Sequence, residues 1–240
     1  MQMNIGVYPD LDALSGAALE ALLSAIGPAI QERGRFAVAL SGGHTPARLY
    51  ALWAAAPFRD RTPWDRMHLF WGDERFVPLD DPLSNYRLVR EALITRVPIP
   101  DANVHPFPVQ LPRPEDAAAA YERELHDFFS AGAPAFDVQL QGLGAEGHTA
   151  SIFPGSPALE ERSRWVMAVE APANPRRRLT LTPAVLNCGR KTIFLVSGAG
   201  KRAIVAALRA ESSPEKSDYP AARIKLSGEV RWFLDREAAG

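Results

Sequence analysis

Short apolar runs alternate along the chain with longer segments in which apolar residues recur at helical spacing. Apolar runs bounded by turn residues are typical of buried strands, and runs apolar on both faces are typical of parallel strands that helices cover on each side. The predicted strands span residues 36–40, 67–71, 136–143, 165–169 and 192–197.

Helical spacing is found between these runs. It extends over residues 11–33, 115–129 and 201–210, and Pro114 stands near the start of the second segment, as is typical of a first helical turn. The alternation predicts an α/β fold, a three-layer α/β/α sandwich around a mainly parallel sheet. No linker divides the chain, so residues 1–240 are predicted to form a single domain.

Composition narrows the class of protein. A net charge of −1 argues against a general nucleic-acid or membrane-surface binder, and no segment approaches ~18 uninterrupted apolar residues. The single cysteine, Cys188, cannot form an internal disulfide and fits a reducing compartment. The N-terminus lacks a basic stretch followed by an apolar run, and the five histidines show no metal-ligand spacing. A cytoplasmic protein without a structural metal is therefore predicted.

One glycine motif fits a dinucleotide-binding loop but lacks its context. Residues 142–147 read G-L-G-A-E-G after a predicted strand. Such a loop must open a helix whose N-terminus faces the pyrophosphate, yet Pro154, Gly155 and Pro157 follow almost at once. The motif therefore does not predict a nucleotide cofactor.

The loop at residues 41–46 is a candidate anion site. It follows a strand and opens a helix, for which Thr45 is the predicted N-cap and Pro46 the first residue. Gly42 and Gly43 let backbone N–H groups approach a ligand closely, and the run Ser41-Gly42-Gly43 favours a phosphate ligand. The alternative is an ordinary strand-to-helix turn.

The stretch S-G-A-G-K at residues 197–201 resembles part of a nucleotide P-loop. That loop needs a glycine where this chain has Leu195 and a hydroxyl where it has Arg202. Lys201 is nevertheless predicted in a first helical turn, where a cation opposes the helix dipole unless an anion is bound. A solvated surface lysine is the alternative.

Two further stretches supply charged candidates. Residues 178–182 alternate, so Arg178 shares a face with the threonines and can bind an anion. Asp73, Glu74 and Arg75 follow a strand together, either as a surface salt-bridge group or as a catalytic group with its orienting partner. Ser84 is predicted to cap the next helix.

His148 stands in a loop rich in glycine and hydroxyl groups. Gly147 leaves the backbone free, and Thr149 and Ser151 can donate hydrogen bonds. Imidazole is the side chain best suited to accept a proton at neutral pH, so His148 is a candidate general base. A lone loop histidine can also be structural.

Together these blocks resemble 6-phosphogluconolactonase of the bacterial type. The resemblance runs from about residue 41 to 201 and rests on L-S-G-G-H-T-P, W-G-D-E-R-F-V-P with S-N-Y, G-L-G-A-E-G-H-T-A-S-I-F-P-G, R-R-R-L-T-L-T and S-G-A-G-K, in that order. It implies a modified Rossmann-like fold in one domain and hydrolysis of 6-phospho-D-glucono-1,5-lactone, the second step of the oxidative pentose phosphate pathway. It implies no metal and no nucleotide cofactor, and as partner only the small phosphosugar lactone, with no nucleic acid and no membrane. A monomer or small homo-oligomer is expected.

The resemblance also implies roles for individual residues. His148 would activate the hydrolytic water, Arg75 would stabilise charge at the reacting carboxyl, and Asp73 of the same block would belong to the catalytic group. Phosphate and sugar hydroxyls would be bound by Ser41, Gly42, Gly43, Thr45, Arg178 and Lys201. The family usually has Asp before the Gly-His pair, where this chain has Glu146.

Three alternatives remain open at this level. Ser41 could act as a covalent nucleophile, although it does not lie in a G-x-S-x-G elbow. The chain could be a sugar-phosphate sensor without turnover, or a glucosamine-6-phosphate isomerase/deaminase. The deaminase loop places a glutamate five residues after its histidine, and this chain has Phe153 there.

Overall fold

The computed structural model describes residues 3–130, 132–210, 218–224 and 226–240. Within these ranges the strands are β1 (Ile5–Tyr8), β2 (Phe36–Leu40), β3 (Met67–Trp71), β4 (Asp73–Arg75), β5 (Val104–His105), β6 (Val138–Gly142), β7 (Val166–Glu170), β8 (Arg177–Leu181), β9 (Lys191–Val196) and β10 (Glu229–Asp235). The helices are α1 (Leu11–Arg33), α2 (His44–Trp53), α3 (Asn85–Ala92), α4 (Pro114–Phe129), α5 (Pro183–Leu186), α6 (Arg202–Arg209), α7 (Pro220–Arg223) and α8 (Arg236–Ala239).

Seven strands form a parallel sheet in the order β1-β10-β9-β6-β2-β3-β5. In β9 and β10 the apolar side chains alternate between two hydrophobic clusters, one on each face of the sheet. Phe194 and Trp232 stack with ring centroids 3.7 Å apart and face α6 and α8, whereas Leu195 and Phe233 belong to the cluster that includes α1. The sheet is therefore covered on both faces, and the predicted α/β/α sandwich is confirmed.

Helix α1 shows how pattern and burial agree. It spans the predicted residues, and the Asp10 side chain caps it by accepting a hydrogen bond from the N–H of Ala13 at 2.9 Å. By length and composition α1 is apolar enough to cross a membrane, although the sequence has no uninterrupted apolar run of ~18 residues. Half of its most apolar 18-residue window is buried inside the fold.

A second sheet holds three antiparallel strands in the order β4-β8-β7. The prediction that residues 165–169 form a strand of the parallel sheet is wrong in this respect, because the strand at 166–170 pairs with β8 instead. An apolar run indicates that a strand is buried but does not encode which strand it pairs with. Helix α4 begins at Pro114, as predicted, and packs on β7 and β8.

Candidate active site

The order of the parallel sheet reverses between β2 and β6. From β2 the chain proceeds to β3 and β5 on one side, and from β6 to β9 and β10 on the other. Ligands of open α/β sheets bind outside the carboxyl ends of strands at such a point. A cavity of about 690 Å³ lies there, and it is bordered by every residue that the sequence predicted for the site, namely Ser41, Gly42, Gly43, Thr45, Asp73, Arg75, His148, Arg178 and Lys201.

A larger depression of about 910 Å³ adjoins this cavity and shares Glu146, Phe153 and Pro172 with it. Prolines and exposed arginines make up much of its lining. The smaller cavity is the better candidate site, because buried and ionisable groups from several strand ends converge on it.

The loop after β2 presents a helix start to the cavity. Helix α2 begins at His44 with Gly43 as its N-cap, so the prediction of Thr45 as N-cap and Pro46 as first residue is wrong by two positions. The first intrahelical bond runs from the N–H of Ala47 to the carbonyl of Gly43 at 3.1 Å. The N–H groups of His44 and Thr45 therefore have no intrahelical acceptor, which is the usual basis of anion binding at a helix start.

The loop after β6 holds the imidazole of His148 against its own backbone. A Cβ added at Gly144 would lie 1.9 Å from Nδ1 of His148, so only glycine leaves room for the ring. The N–H of Gly144 donates to the carbonyl of His148 at 2.8 Å, which closes the loop. The Phe153 ring packs beside the imidazole with centroids 4.5 Å apart. No helix follows this loop directly, as the sequence predicted.

Glu146 reaches His148 despite its longer side chain. Its Oε1 lies 3.0 Å from the buried Nδ1 of His148, although the contact lacks hydrogen-bond alignment. Partial burial opposes ionisation of Glu146, but a bond from its own backbone N–H and the nearby His148 and Lys201 lower its pKa. A carboxylate beside Nδ1 favours a proton on that nitrogen and leaves Nε2 free to accept one.

Two arginines from the small sheet form a cationic wall. Arg75 and Arg178 occupy opposed positions of β4 and β8, so their side chains share one face. Nε of Arg178 donates to the carbonyl of Pro175 at 2.7 Å, and Arg75 donates to the carbonyl of Leu83. Among the described residues, neither guanidinium has a carboxylate within ion-pair distance.

Burial of Arg178, and next the positive charge of Arg75, lower the pKa of the Arg178 guanidinium. A bound anion would offset both effects. The pair can therefore bind phosphate or a developing oxyanion.

Asp73 is held on both sides by groups that the sequence did not single out as its partners. Ser151 Oγ donates to Asp73 Oδ2 at 2.6 Å, and Asn85 Nδ2 donates to Asp73 Oδ1 at 3.4 Å. Ser151 was predicted only as a general hydrogen-bond donor, and no role was predicted for Asn85. The S-N-Y motif carried a signal, because an asparagine directly after the Ser84 cap lies at a helix start beside the strand end.

Glu74 is a structural anchor and not part of a surface salt-bridge group. It is 1% exposed, and its carboxylate accepts backbone N–H bonds from Arg75, Asn85 and Tyr86, each at 2.7 Å. Burial raises its pKa to about 7, and the three N–H donors oppose that rise. Ser84 caps α3 as predicted, accepting from the N–H of Arg87 at 3.2 Å.

The loop after β9 brings Lys201 to the cavity, near Glu146. Lys201 ends a short 3-10 turn, Ala199–Lys201, and immediately precedes α6, so it lies just outside the predicted first α-helical turn. Asp235, at the end of β10, ties this loop down by accepting bonds from Ser197 Oγ and from the N–H of Gly198 at 3.0 Å. Asp235 was not predicted, because it lies 34 positions from Lys201 and outside the sequence motifs.

Comparison with known proteins gives a consistent result. Residues 9–232 match the family model for glucosamine-6-phosphate isomerases/6-phosphogluconolactonase. A 6-phosphogluconolactonase from Synechocystis sp. is 42% identical over 99% of this chain and 98% of its own length. One from Mycobacterium tuberculosis is 41% identical over 100% and 98%, respectively.

A solved structure agrees with the sequence matches. The 6-phosphogluconolactonase from Trypanosoma brucei superposes with a TM-score of 0.86 at 32% identity, covering 99% of this chain and 98% of that chain. The fold, the cavity at the sheet reversal and these matches lead to one conclusion: the chain belongs to the glucosamine-6-phosphate isomerase/6-phosphogluconolactonase family.

Proposed function

We propose that this protein hydrolyses 6-phospho-D-glucono-1,5-lactone to 6-phospho-D-gluconate, the second step of the oxidative pentose phosphate pathway. The observation that carries the proposal is one cavity that holds a histidine beside a carboxylate together with cations that have no carboxylate within ion-pair distance in the described part of the chain. Relatives called 6-phosphogluconolactonase, similar over almost their full length, support it. The free thiol of Cys188 fits a reducing cytoplasm, where we expect the reaction to occur.

His148 acts in this proposal as general base and then general acid. With a proton on Nδ1 beside Glu146, Nε2 takes a proton from a water molecule whose oxygen attacks the lactone carbonyl carbon. When the tetrahedral intermediate collapses, the bond to the ring oxygen breaks and Nε2–H returns the proton to that oxygen. The new carboxylic acid then ionises, so each turnover releases one proton to solvent.

The cations divide between the two ends of the substrate. Arg75 stabilises the oxyanion that forms at the carbonyl, which is the charge that develops only in the transition state. Arg178, Lys201 and the N–H groups at the start of α2 bind the phosphate. Phosphate binding, remote from the bond that breaks, supplies the free energy that positions the lactone.

A glucosamine-6-phosphate isomerase or deaminase is the second candidate, because the family includes both activities. Ring opening and isomerisation need an additional acid–base group in the histidine loop. Phe153 occupies that position, and its ring packs against His148 at 4.5 Å, where it cannot transfer a proton. This contact favours lactone hydrolysis.

A covalent mechanism through Ser41 is less well supported. Ser41 is 7% exposed, and its Oγ donates to the carbonyl of Gly42 at 3.4 Å. Among the described residues no hydrogen bond links Ser41 Oγ to a histidine or carboxylate that could activate it.

The test measures two products from the purified protein. Acid release from 6-phosphogluconolactone is followed at constant pH, above the rate of spontaneous opening, and ammonia is measured with glucosamine 6-phosphate. We expect rapid acid release and no ammonia. Ammonia production at an enzyme-like rate, or lactone opening no faster than in buffer, would overturn the proposal.

A further inference from the structure

Asn85 lies between two parts of the cavity that the proposed mechanism uses separately. It is the first residue of α3 and is 1% exposed. Its Nδ2 donates to the carbonyl of Asp73 at 2.9 Å and approaches Asp73 Oδ1 at 3.4 Å. Both of these groups only accept hydrogen bonds, so the amide cannot be turned around, and Oδ1 must point the other way.

That second direction leads to the glycine loop. A Cβ added at Gly42 would lie 1.8 Å from Oδ1 and 2.3 Å from Cγ of Asn85, so the amide rests directly against the Gly42 backbone. Oδ1 is buried there without a hydrogen-bond donor. A buried acceptor without a partner costs free energy, and an apolar side chain would fill this space without that cost.

The backbone of Asn85 is held as firmly as its side chain. Its N–H donates to Glu74 Oε1 at 2.7 Å, and Ser84 caps the helix at this point. The other oxygen of Asp73, Oδ2, accepts from Ser151 Oγ at 2.6 Å, and Ser151 lies three residues after His148. A chain of contacts therefore runs from Gly42 through Asn85 and Asp73 to the His148 loop.

We propose that Asn85 is a positioning residue that keeps the phosphate-binding glycine loop and the His148 loop in register by holding Asp73 between them. This inference rests on the proposed lactonase function. Asn85 acts through Asp73 and Gly42, not on the substrate itself. Misplacement of reacting groups by about 1 Å can cost on the order of 100-fold in rate, so a residue of this kind has a kinetic signature.

Two substitutions separate positioning from general stability. Asn85→Leu keeps the approximate volume and removes the donor, so kcat/KM should fall about 10- to 100-fold at every pH. Asn85→Asp sets a carboxyl group against Asp73. At low pH the pair shares a proton and the O–H restores the bond, whereas at high pH both groups ionise and repel.

The decisive quantity is the ratio of kcat/KM for Asn85→Asp to that for Asn85→Leu between pH 5.5 and 8.5. Asp73 and Glu74 contact position 85 in both variants, so the part of their titration that does not depend on the residue at position 85 cancels in the ratio. We expect the ratio to rise at least about fivefold as the pH falls, with thermal unfolding monitored at each pH to keep both variants folded. A ratio that does not change with pH would overturn the inference.

Two further variants complete the experiment. Asn103→Leu is the matched control, because Asn103 donates to the carbonyl of Asp65 at 3.2 Å on the surface and should leave kcat/KM unchanged. Ser151→Ala removes the opposite support of Asp73 and remains informative if Asn85→Leu fails to fold. At pH 8.5 the double variant Asn85→Asp with Ser151→Ala should lose less kcat/KM than the two single losses combined predict. The losses are not additive because both substitutions act through the carboxylate of Asp73.

Failure of this inference differs from failure of the proposed function. A wild-type protein that does not hydrolyse the lactone would contradict both the proposed function and the role of Asn85. If the wild-type protein hydrolyses the lactone and the variants at position 85 have kcat/KM within twofold of the wild type, only the role of Asn85 is contradicted. Strictly additive losses in the double variant would also contradict a shared action through Asp73.

Discussion

In the seven-stranded sheet the predicted site residues follow the strands, whereas in the three-stranded sheet they belong to the strands themselves. The large sheet contributes Gly42, His148 and Lys201, all on loops after β2, β6 and β9. The small sheet contributes Asp73 and Arg75 within β4 and Arg178 within β8.

The difference follows from how each sheet is covered. Helices bury both faces of the parallel sheet, so its side chains form core and only its carboxyl edge is free to bind ligands. The antiparallel sheet pairs β4 with β8 at the rim of the cavity, so opposed side chains reach the cavity together. We therefore propose that the large sheet supplies backbone N–H groups and the general base, and that the small sheet supplies the charged side chains of Asp73, Arg75 and Arg178.

The largest expected effect concerns the loop after β6. We expect His148→Ala to lower kcat by about 10²–10⁴ with little change in substrate binding, which is the usual effect of losing a general base. His126→Ala is the control, because His126 stacks on Trp165 outside the cavity, with centroids 3.8 Å apart. A folded His148→Ala protein with near-normal kcat would contradict the assignment of His148, on a loop of the large sheet, as the general base.

Cations from the two sheets should bind the same phosphate group of the substrate. Arg178→Ala, from the small sheet, and Lys201→Ala, from the large one, should each weaken binding of the phosphorylated lactone by about 1.5–3 kcal/mol. Unphosphorylated gluconolactone should be much less affected, and exposed Arg177→Ala serves as control. Equal losses on both substrates would show that these residues do not recognise phosphate.

Gly144 lies against the imidazole of His148, so replacing it tests whether the position of this ring on the large sheet matters for catalysis. Gly144→Ala places a Cβ within 1.9 Å of His148 Nδ1, so we expect the ring to shift and kcat to fall about tenfold. Gly27→Ala in α1, where an added Cβ meets nothing within 4 Å, is the control. Unchanged kcat in Gly144→Ala would mean that the ring position is not critical.

The smallest expected effect is on stability and concerns a residue of the scaffold that lies outside the cavity. His68 lies on β3, with Nδ1 3.1 Å from His105 Nε2, and burial followed by the nearby positive charges lowers the pKa of His68 to about 4. The folded state therefore binds fewer protons than the unfolded state between about pH 4 and 6.5, and stability falls as the pH drops through that window. Allowing for partial solvent screening, the loss at pH 5 is about 1 kcal/mol.

His68→Gln keeps a donor toward His105 but cannot titrate. Thermal unfolding at pH 7 and pH 5 should show a Tm decrease about 2–4 °C smaller in this variant than in the wild type. Lactonase activity at pH 7 should remain unchanged, because His68 does not border the cavity. An identical Tm decrease in both proteins would rule out His68 as the source of acid sensitivity.

Much of the scaffold was predictable because periodicity reports burial directly. The strands at 36–40 and 67–71 and the helix at 11–33 match their predicted bounds. Strands β1 and β10 were not predicted, and they pair at the far edge of the parallel sheet. Pairing between residues more than 200 positions apart has no local signature.

By itself the sequence determined the α/β class, the family resemblance and nine of the residues that border the cavity, because each motif carries its chemistry in adjacent residues. Only the tertiary structure decided that β7 pairs in the small sheet, that α2 begins at His44, and that Arg75 faces Arg178. It also revealed Asn85 and Asp235, whose partners lie 12 residues away in one case and 37 or 38 in the other. These contacts depend on strand order and register, and hydrophobic spacing constrains which face is buried but not which distant strand lies next to it.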